Sequence, residues 1–147
     1  MEKLELSEVI AMALTSLQNG GMTRELTGKT ARYVIAIDEP LVEMQLKNDE
    51  ATLGQWLDVI MDGQDKVHEF YNLEYLSRLY GSLALGTWHD KENAIIEFNL
   101  NVLTENLHHA YLLAVEFKQR FIYDLKNDEA INVEELWHML HGTTMTK

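Results

Sequence analysis

The sequence predicts a single α+β domain over residues 1–147, with about five helices around a small mixed sheet. Three observations predict it. A chain of 147 residues, 46% apolar and 9% aromatic, is long enough to bury one core and short for two. Apolar residues recur at helical spacing in five segments and alternate with polar ones in several others. No proline-rich or low-complexity linker divides the chain, which holds one proline.

The elements follow in order. Residues 6–18 place Leu6, Val9, Ile10, Ala13, Leu14 and Leu17 on one apolar stripe, with Ser7 as the expected N-cap and Asn19-Gly20-Gly21 as the stop. Residues 22–30 read as a polar connection. Tyr33–Ile37 is rich in β-branched residues, Asp38-Glu39-Pro40 is a turn, and Val42, Met44 and Leu46 alternate with Glu43, Gln45 and Lys47; the two strands predict an N-terminal hairpin. Thr52 and Gln55 have the spacing of a capping box, Leu53, Trp56, Leu57, Ile60 and Met61 form a buried face, and Gly63 is the expected stop. Residues 66–80 predict further helix, broken near Asn72 and ended by Gly81. Leu83–Trp88 and the alternating Ile96, Phe98, Leu100 and Val102 predict a central β-hairpin. Thr104 is the expected cap of a helix to about Arg120, and Phe121–Leu125 a strand reached by a right-handed crossover, hence a parallel pair. Asn132 and Glu135 cap a last helix over 133–141, and 142–147 read as a flexible tail. The hexapeptide Leu46–Ala51 recurs as Leu125–Ala130; this is either a duplicated strand–turn–helix unit or the convergence of Asn-Asp turns on the same residues.

Composition narrows the function. With 24 acidic and 12 basic side chains the formal charge is −12, which repels phosphate backbones and anionic lipid surfaces and attracts basic proteins or cations. The absence of cysteine excludes a disulfide scaffold, a thiolate metal site and a cysteine nucleophile. Apolar runs reach only six residues, Val9–Leu14 and Ala110–Val115, too few for a membrane span. The N-terminus has no export signal, so a cytoplasmic protein is expected. No cofactor is implied, and self-association is left open.

Half of the net charge lies in residues 31–70, where nine acids face three bases. Glu39, Glu43, Asp49, Glu50, Asp58, Asp62 and Asp65 are the candidate partner-binding face. Asp58 and Asp62 are like charges at i, i+4, and with the helix ending at Gly63 Asp62 would also meet the negative end of the helix dipole. Trp88 and Asp90, at a hairpin tip, are a candidate loop hot spot. Arg24, Lys29 and Arg32 could hold an anionic nucleotide if the protein sequesters a small ligand. Glu134, His138 and His141, at i, i+4 and i+7, are the ligand set of a metal-dependent hydrolase, the third alternative. Gly28-Lys29-Thr30 is not the end of a phosphate-binding loop, because Thr23 stands where that loop needs glycine.

Residues 86–133 carry Gly86-x-Trp88-x-Asp90, then a helix ending at Gln119 and the strand Ile122-Tyr123-Asp124-Leu125. This third of the chain resembles a block of small uncharacterised accessory proteins of phages and mobile elements. The resemblance implies a phage context, in which compact acidic proteins are inhibitors of host defence enzymes; it transfers no catalytic residue. The function expected is therefore that of a non-enzymatic interaction protein, an anionic nucleic-acid mimic docking on a basic, nucleic-acid-handling host protein.

Overall fold

A computed structural model describes residues 2–142. It opens with α1 (Leu6–Asn19), which lies across the first strand, β1 (Gly21–Thr27). Then follow β2 (Tyr33–Ala36), β3 (Val42–Gln45), α2 (Leu53–Phe70), α3 (Leu73–Tyr80), β4 (Ser82–Asp90) and β5 (Ile95–Thr104). The chain closes with α4 (Leu107–Glu116), β6 (Phe121–Asp124), β7 (Glu129–Asn132) and α5 (Val133–Leu140). One seven-stranded sheet has the order β1-β4-β5-β2-β6-β7, with β3 also on β5. The α+β class and the five helices are as the sequence predicts. The segment beyond Gly142, most of the expected tail, lies outside the described residues. Among the described residues no helix is long and apolar enough to cross a membrane.

The sheet differs from expectation in being antiparallel throughout. Strands β2 and β3 do not form a hairpin: β2 pairs Asn101–Thr104 and β3 pairs Ile95–Phe98, so they run in one direction along the same side of β5. Asp38, at φ 57°, and Pro40 carry an outward excursion, and the amides of Ile37 and Leu41 bond to the carbonyls of Leu100 and Phe98 on either side of it. Asp-Glu-Pro interrupts a strand here but lacks the residues that reverse one. Strands β5 and β6 do share a direction, yet β2 lies between them, antiparallel to both. The crossover through α4 thus skips one strand. Most of the segment 22–30, read as a polar connection, belongs to β1 on the edge of β4, which begins at Gly21 and runs to Thr27; Met22 and Leu26 reach the core and Arg24 pairs with Glu8 of α1, so the apolar signal is only every second residue.

Helix ends also moved. Gly63 does not stop α2, which runs two turns further, to Phe70. A Cβ at Gly63 would lie 2.2 Å from Phe98 Cδ1, so glycine is here for the closeness of helix to strand rather than as a breaker. The capping box of Thr52 and Gln55 is present, and Asn72 caps α3 as its break predicts. Asn106, not Thr104, caps α4, because Thr104 still pairs with Tyr33; the Glu8 carboxylate, not Ser7, accepts the Glu5 amide at the start of α1. Asn132 accepts the Glu135 amide at α5. The repeated hexapeptide takes two forms: the first copy is a loop entering α2, in which Asn48 Oδ1 accepts the Glu50 amide, and the second forms the turn from β6 into β7, where Asp124 accepts the Lys126 and Asn127 amides, so the copies are not two instances of one strand–turn–helix unit.

Among the described residues all five helices lie on one side. Their buried residues (Val9, Met12 and Ala13; Trp56, Val59, Ile60 and Val67; Leu73; Ala110 and Leu113; Leu136) join one core with Leu83, Leu85, Ile96, Phe98, Leu100, Val102, Ile35 and Ile122 of the sheet. Ser16 of α1 and Thr87 of β4 share a buried hydroxyl bond of 2.6 Å within that layer. Among the described residues the other side of the sheet holds a small buried cluster of Val34, Ala84 and Leu103, with Ala31, Tyr123 and Leu125 packed on it and no helical residue.

Candidate functional site

Successive residues of a strand point to opposite faces, and directly paired residues point to the same face. The pairing registers therefore list what the helix-free side presents. On β1 and β4 these are Thr23 and Glu25, then Ala84, Gly86, Trp88 and Asp90. On β5 they are Ile95, Glu97, Asn99, Asn101 and Leu103, beside Glu43 and Gln45 of β3 and Val34 and Ala36 of β2. Phe121 and Tyr123 of β6, Ala130 and Asn132 of β7 and Ser82 at the start of β4 lie on the same side. It carries four carboxylates (Glu25, Glu43, Asp90, Glu97) and, at its strand positions, no lysine or arginine.

This side is curved. Tyr123 lines up through Val34 and Leu103 with Ser82, six residues from Trp88 on a strand three steps away. In a flat sheet the two would stand about 20 Å apart along the strands and about 14 Å across them. Their ring centroids are 6.5 Å apart, so the sheet coils strongly and its helix-free side is concave along that diagonal. Trp88 and Phe121 remain half exposed at 48% each. Gly86 lets this surface close: a Cβ there would lie 2.3 Å from Asn101 Nδ2, so the buried Asn101 amide rests against the β4 backbone. Gly86, Trp88 and Asp90 are three consecutive positions of one strand face, which is what a motif of period two encodes.

The electrostatics of the face are unfavourable as they stand. Glu43 lies directly opposite Glu97, the arrangement in which like charges destabilise a strand pair. Burial pushes the Glu97 carboxyl above its ordinary value, and Glu43 and Asp90 push it the same way. Asp90 is held low by its hydrogen bond from the Asn93 side chain, 2.9 Å, and by the Asn93 amide, 3.1 Å. Among the described residues none of the three carboxylates is in an ion pair.

No known protein family, curated protein or solved structure matches this chain.

The sequence-derived candidates are distributed unevenly. Glu43, Trp88 and Asp90 come together on the concave side. Asp58, Asp62 and Asp65 do share the solvent side of α2, on the opposite side of the sheet from Glu43. Asp65 pairs with Lys3 at 2.8 Å and Asp62 with Lys66 at 3.5 Å. Because α2 continues past Gly63, Asp62 is in mid-helix, away from the dipole's negative end, so the dipole part of the expected anomaly does not arise; the like-charge i, i+4 spacing of Asp58 and Asp62 remains, with Lys66 beside Asp62. Glu39 is in the excursion between β2 and β3, and Asp49 and Glu50 are in the exposed loop before α2. The seven acids do not form one face.

The other candidate sets also disperse. Arg24 pairs with Glu8, Arg32 is bidentate to Asp124 with both contacts at 2.9 Å, and the Lys29 amide bonds to Ser82. Two of the three cations are thus already neutralised. His141 stacks on Trp137 with centroids 4.7 Å apart and its Nδ1 lies 2.9 Å from the Trp137 carbonyl, while His138 packs edge-on against the same indole. Among the described residues no three His, Asp or Glu side chains are placed to hold a metal, Glu134, His138 and His141 included. An open recess of about 360 Å³ lies between α4 and α5, lined by Tyr111, Arg120, Glu134 and Trp137 among others.

Glu97, Tyr123, Phe121, Asn99 and Asn101 were missed by sequence reasoning. Their signal was present in the residues between Ile96, Phe98, Leu100 and Val102: three polar side chains in alternation say that the far side of that strand is not covered by a helix.

Proposed function

We propose that this is a non-catalytic interaction protein that receives a basic protein segment on the concave, helix-free side of its sheet. The observation that supports it is the one-sided placement of the helices, which leaves Trp88 and Tyr123 on the same side of the sheet as Glu43, Asp90 and Glu97 with no covering layer among the described residues; Phe121, also on that side, already has the Arg120 guanidinium 5.7 Å over its ring. Each of those features costs stability in the isolated chain. A half-exposed indole forgoes burial, and Glu97 faces the like charge of Glu43 with no ion-pair partner for either among the described residues. An arginine-rich segment relieves both, because guanidinium groups pair with carboxylates and stack on aromatic rings. Nucleic-acid-handling proteins are the partner class this chemistry suits, with Glu43, Asp90 and Glu97 standing where phosphates would lie; such binding would occlude a cationic groove, the inhibitory role that the phage resemblance implies.

The test is titration of an arginine-rich peptide followed by tryptophan fluorescence and calorimetry. The reading expects salt-sensitive binding that Trp88→Ala and Glu43→Gln/Glu97→Gln each weaken by about tenfold. A variant with Asp58, Asp62 and Asp65 all changed to asparagine should bind as the parent does. If that variant alone loses binding, the anionic side of α2 is the docking surface and the sheet face is not.

A further inference from the structure

Helix α1 is apolar over more of its circumference than the core uses. At 100° per residue, buried Val9, Met12, Ala13 and Ser16 occupy one side. Leu6, Ile10, Leu14 and Leu17 fall within an adjoining arc of about 80° and are 63%, 38%, 42% and 43% exposed. The sequence stripe that looked like a single buried face is thus two faces, and only one is covered. Exposed Ser7, Ala11 and Gln18 continue round the surface from the outer stripe, and Glu8 is turned away to Arg24. The outer surface of α1 from Leu6 to Gln18 therefore carries no charge, on a chain whose net charge is −12.

We propose that this stripe is a self-association surface, on which α1 of one copy packs antiparallel against α1 of a second across a two-fold axis. Two features favour a second copy over a foreign chain. First, a molecule with this excess of carboxylates repels its own kind wherever acidic surfaces meet, and the uncharged side of α1 is where two copies approach without that cost. Second, the stripe is nearly palindromic. Its spacings of four, four and three residues place Leu6 opposite Leu17 and Ile10 opposite Leu14 of the partner when two antiparallel helices cross near Ala11–Met12. That self-complementarity is the requirement of an isologous contact, and the two helix dipoles then oppose. A contact between single 14-residue helices falls short of the area of a stable obligate interface, so the dimer exchanges rapidly and has micromolar or weaker affinity. The concave sheet side stays free for its own partner.

Sedimentation equilibrium of the full chain from micromolar to millimolar concentration tests this. A reversible monomer–dimer equilibrium is expected, strengthened by added salt, which screens the self-repulsion; binding of a basic peptide to the sheet face has the opposite salt dependence. Ile10→Gln with Leu14→Gln should weaken the dimer by about tenfold or more, with the fold verified by circular dichroism. Trp88→Ala and the exposed α3 control Leu79→Gln should leave it unchanged. A monomer at every concentration and salt level overturns the proposal, as does a dimer indifferent to the paired α1 substitutions.

Discussion

Replacing Gly63 with alanine sets two known effects against each other. Gly63 lies in the interior of the 18-residue α2, where alanine is favoured over glycine by about 1 kcal/mol. If the helix had open space there, the substitution would stabilise the protein. The ideal Cβ, however, would stand 2.2 Å from Phe98 Cδ1, 2.3 Å from Cγ and 2.7 Å from Cε1. Three ring atoms are overrun at once, so no small tilt of the ring relieves the contact. Phe98 is fully buried on β5, the strand with pairing partners at β2, β3 and β4, so its ring has nowhere to go. Overpacking of this kind costs about 1–3 kcal/mol, and here the upper half of that range is expected because backbone must move. The net effect is destabilisation by about 1–2 kcal/mol, a fall in Tm of about 3–8 °C for a domain of this size. Urea unfolding and calorimetry read it directly. A stabilised Gly63→Ala variant would refute the reasoning, showing that α2 does not lie this close to β5.

Other outcomes follow from the same geometry. Arg32 holds the buried Asp124 carboxyl at about 2, well below the ordinary carboxylate range, helped by the amides of Lys126 and Asn127. A depressed folded-state value contributes stability above pH 4 that is lost as pH falls from about 4 toward 2, so Asp124→Asn should cost about 2 kcal/mol at neutral pH and little at the acid end, measured by urea unfolding at each pH. Glu97 has the opposite sign: its raised value means that its charge costs stability at neutral pH, so Glu97→Gln should stabilise there and lose its advantage in acid, while weakening the binding of a basic peptide. Trp88→Ala should alter stability by less than about 1 kcal/mol, since the indole is half exposed, yet reduce peptide affinity by about tenfold. Gly86→Ala should displace the Asn101 amide, which a large shift of its side-chain resonances would report.

The sequence was informative where one residue type has one physical use. Thr52 with Gln55 and Asn132 marked helix starts because their side chains satisfy orphan amides, and they do so; Asn72, read as a break, also caps a helix. Gly63 misled because glycine has two uses, ending a helix and allowing close approach, and only the position of Phe98 distinguishes them. That one ambiguity also created the apparent dipole conflict at Asp62. Strand β1 was illegible because an edge strand with one side under α1 and the other uncovered needs few apolar residues. The β2–β3 excursion depends on pairing with β5, which is about 60 residues further along the chain, so no local pattern encodes it. For the candidate site, the carboxylates could be counted, but which of them converge depends on which side of the sheet the helices take. Glu43, in a list with Asp58 and Asp62 by proximity in sequence, instead belongs with Glu97 and Asp90.

The most direct test of the binding face is an amide chemical-shift map of the chain titrated with an arginine-rich peptide. The account predicts that the largest changes fall at Glu43, Gly86–Asp90, Glu97–Asn101 and Phe121–Tyr123, with the Trp88 indole among them. Changes concentrated on the outer side of α2, at Asp58, Asp62 and Asp65, would contradict it.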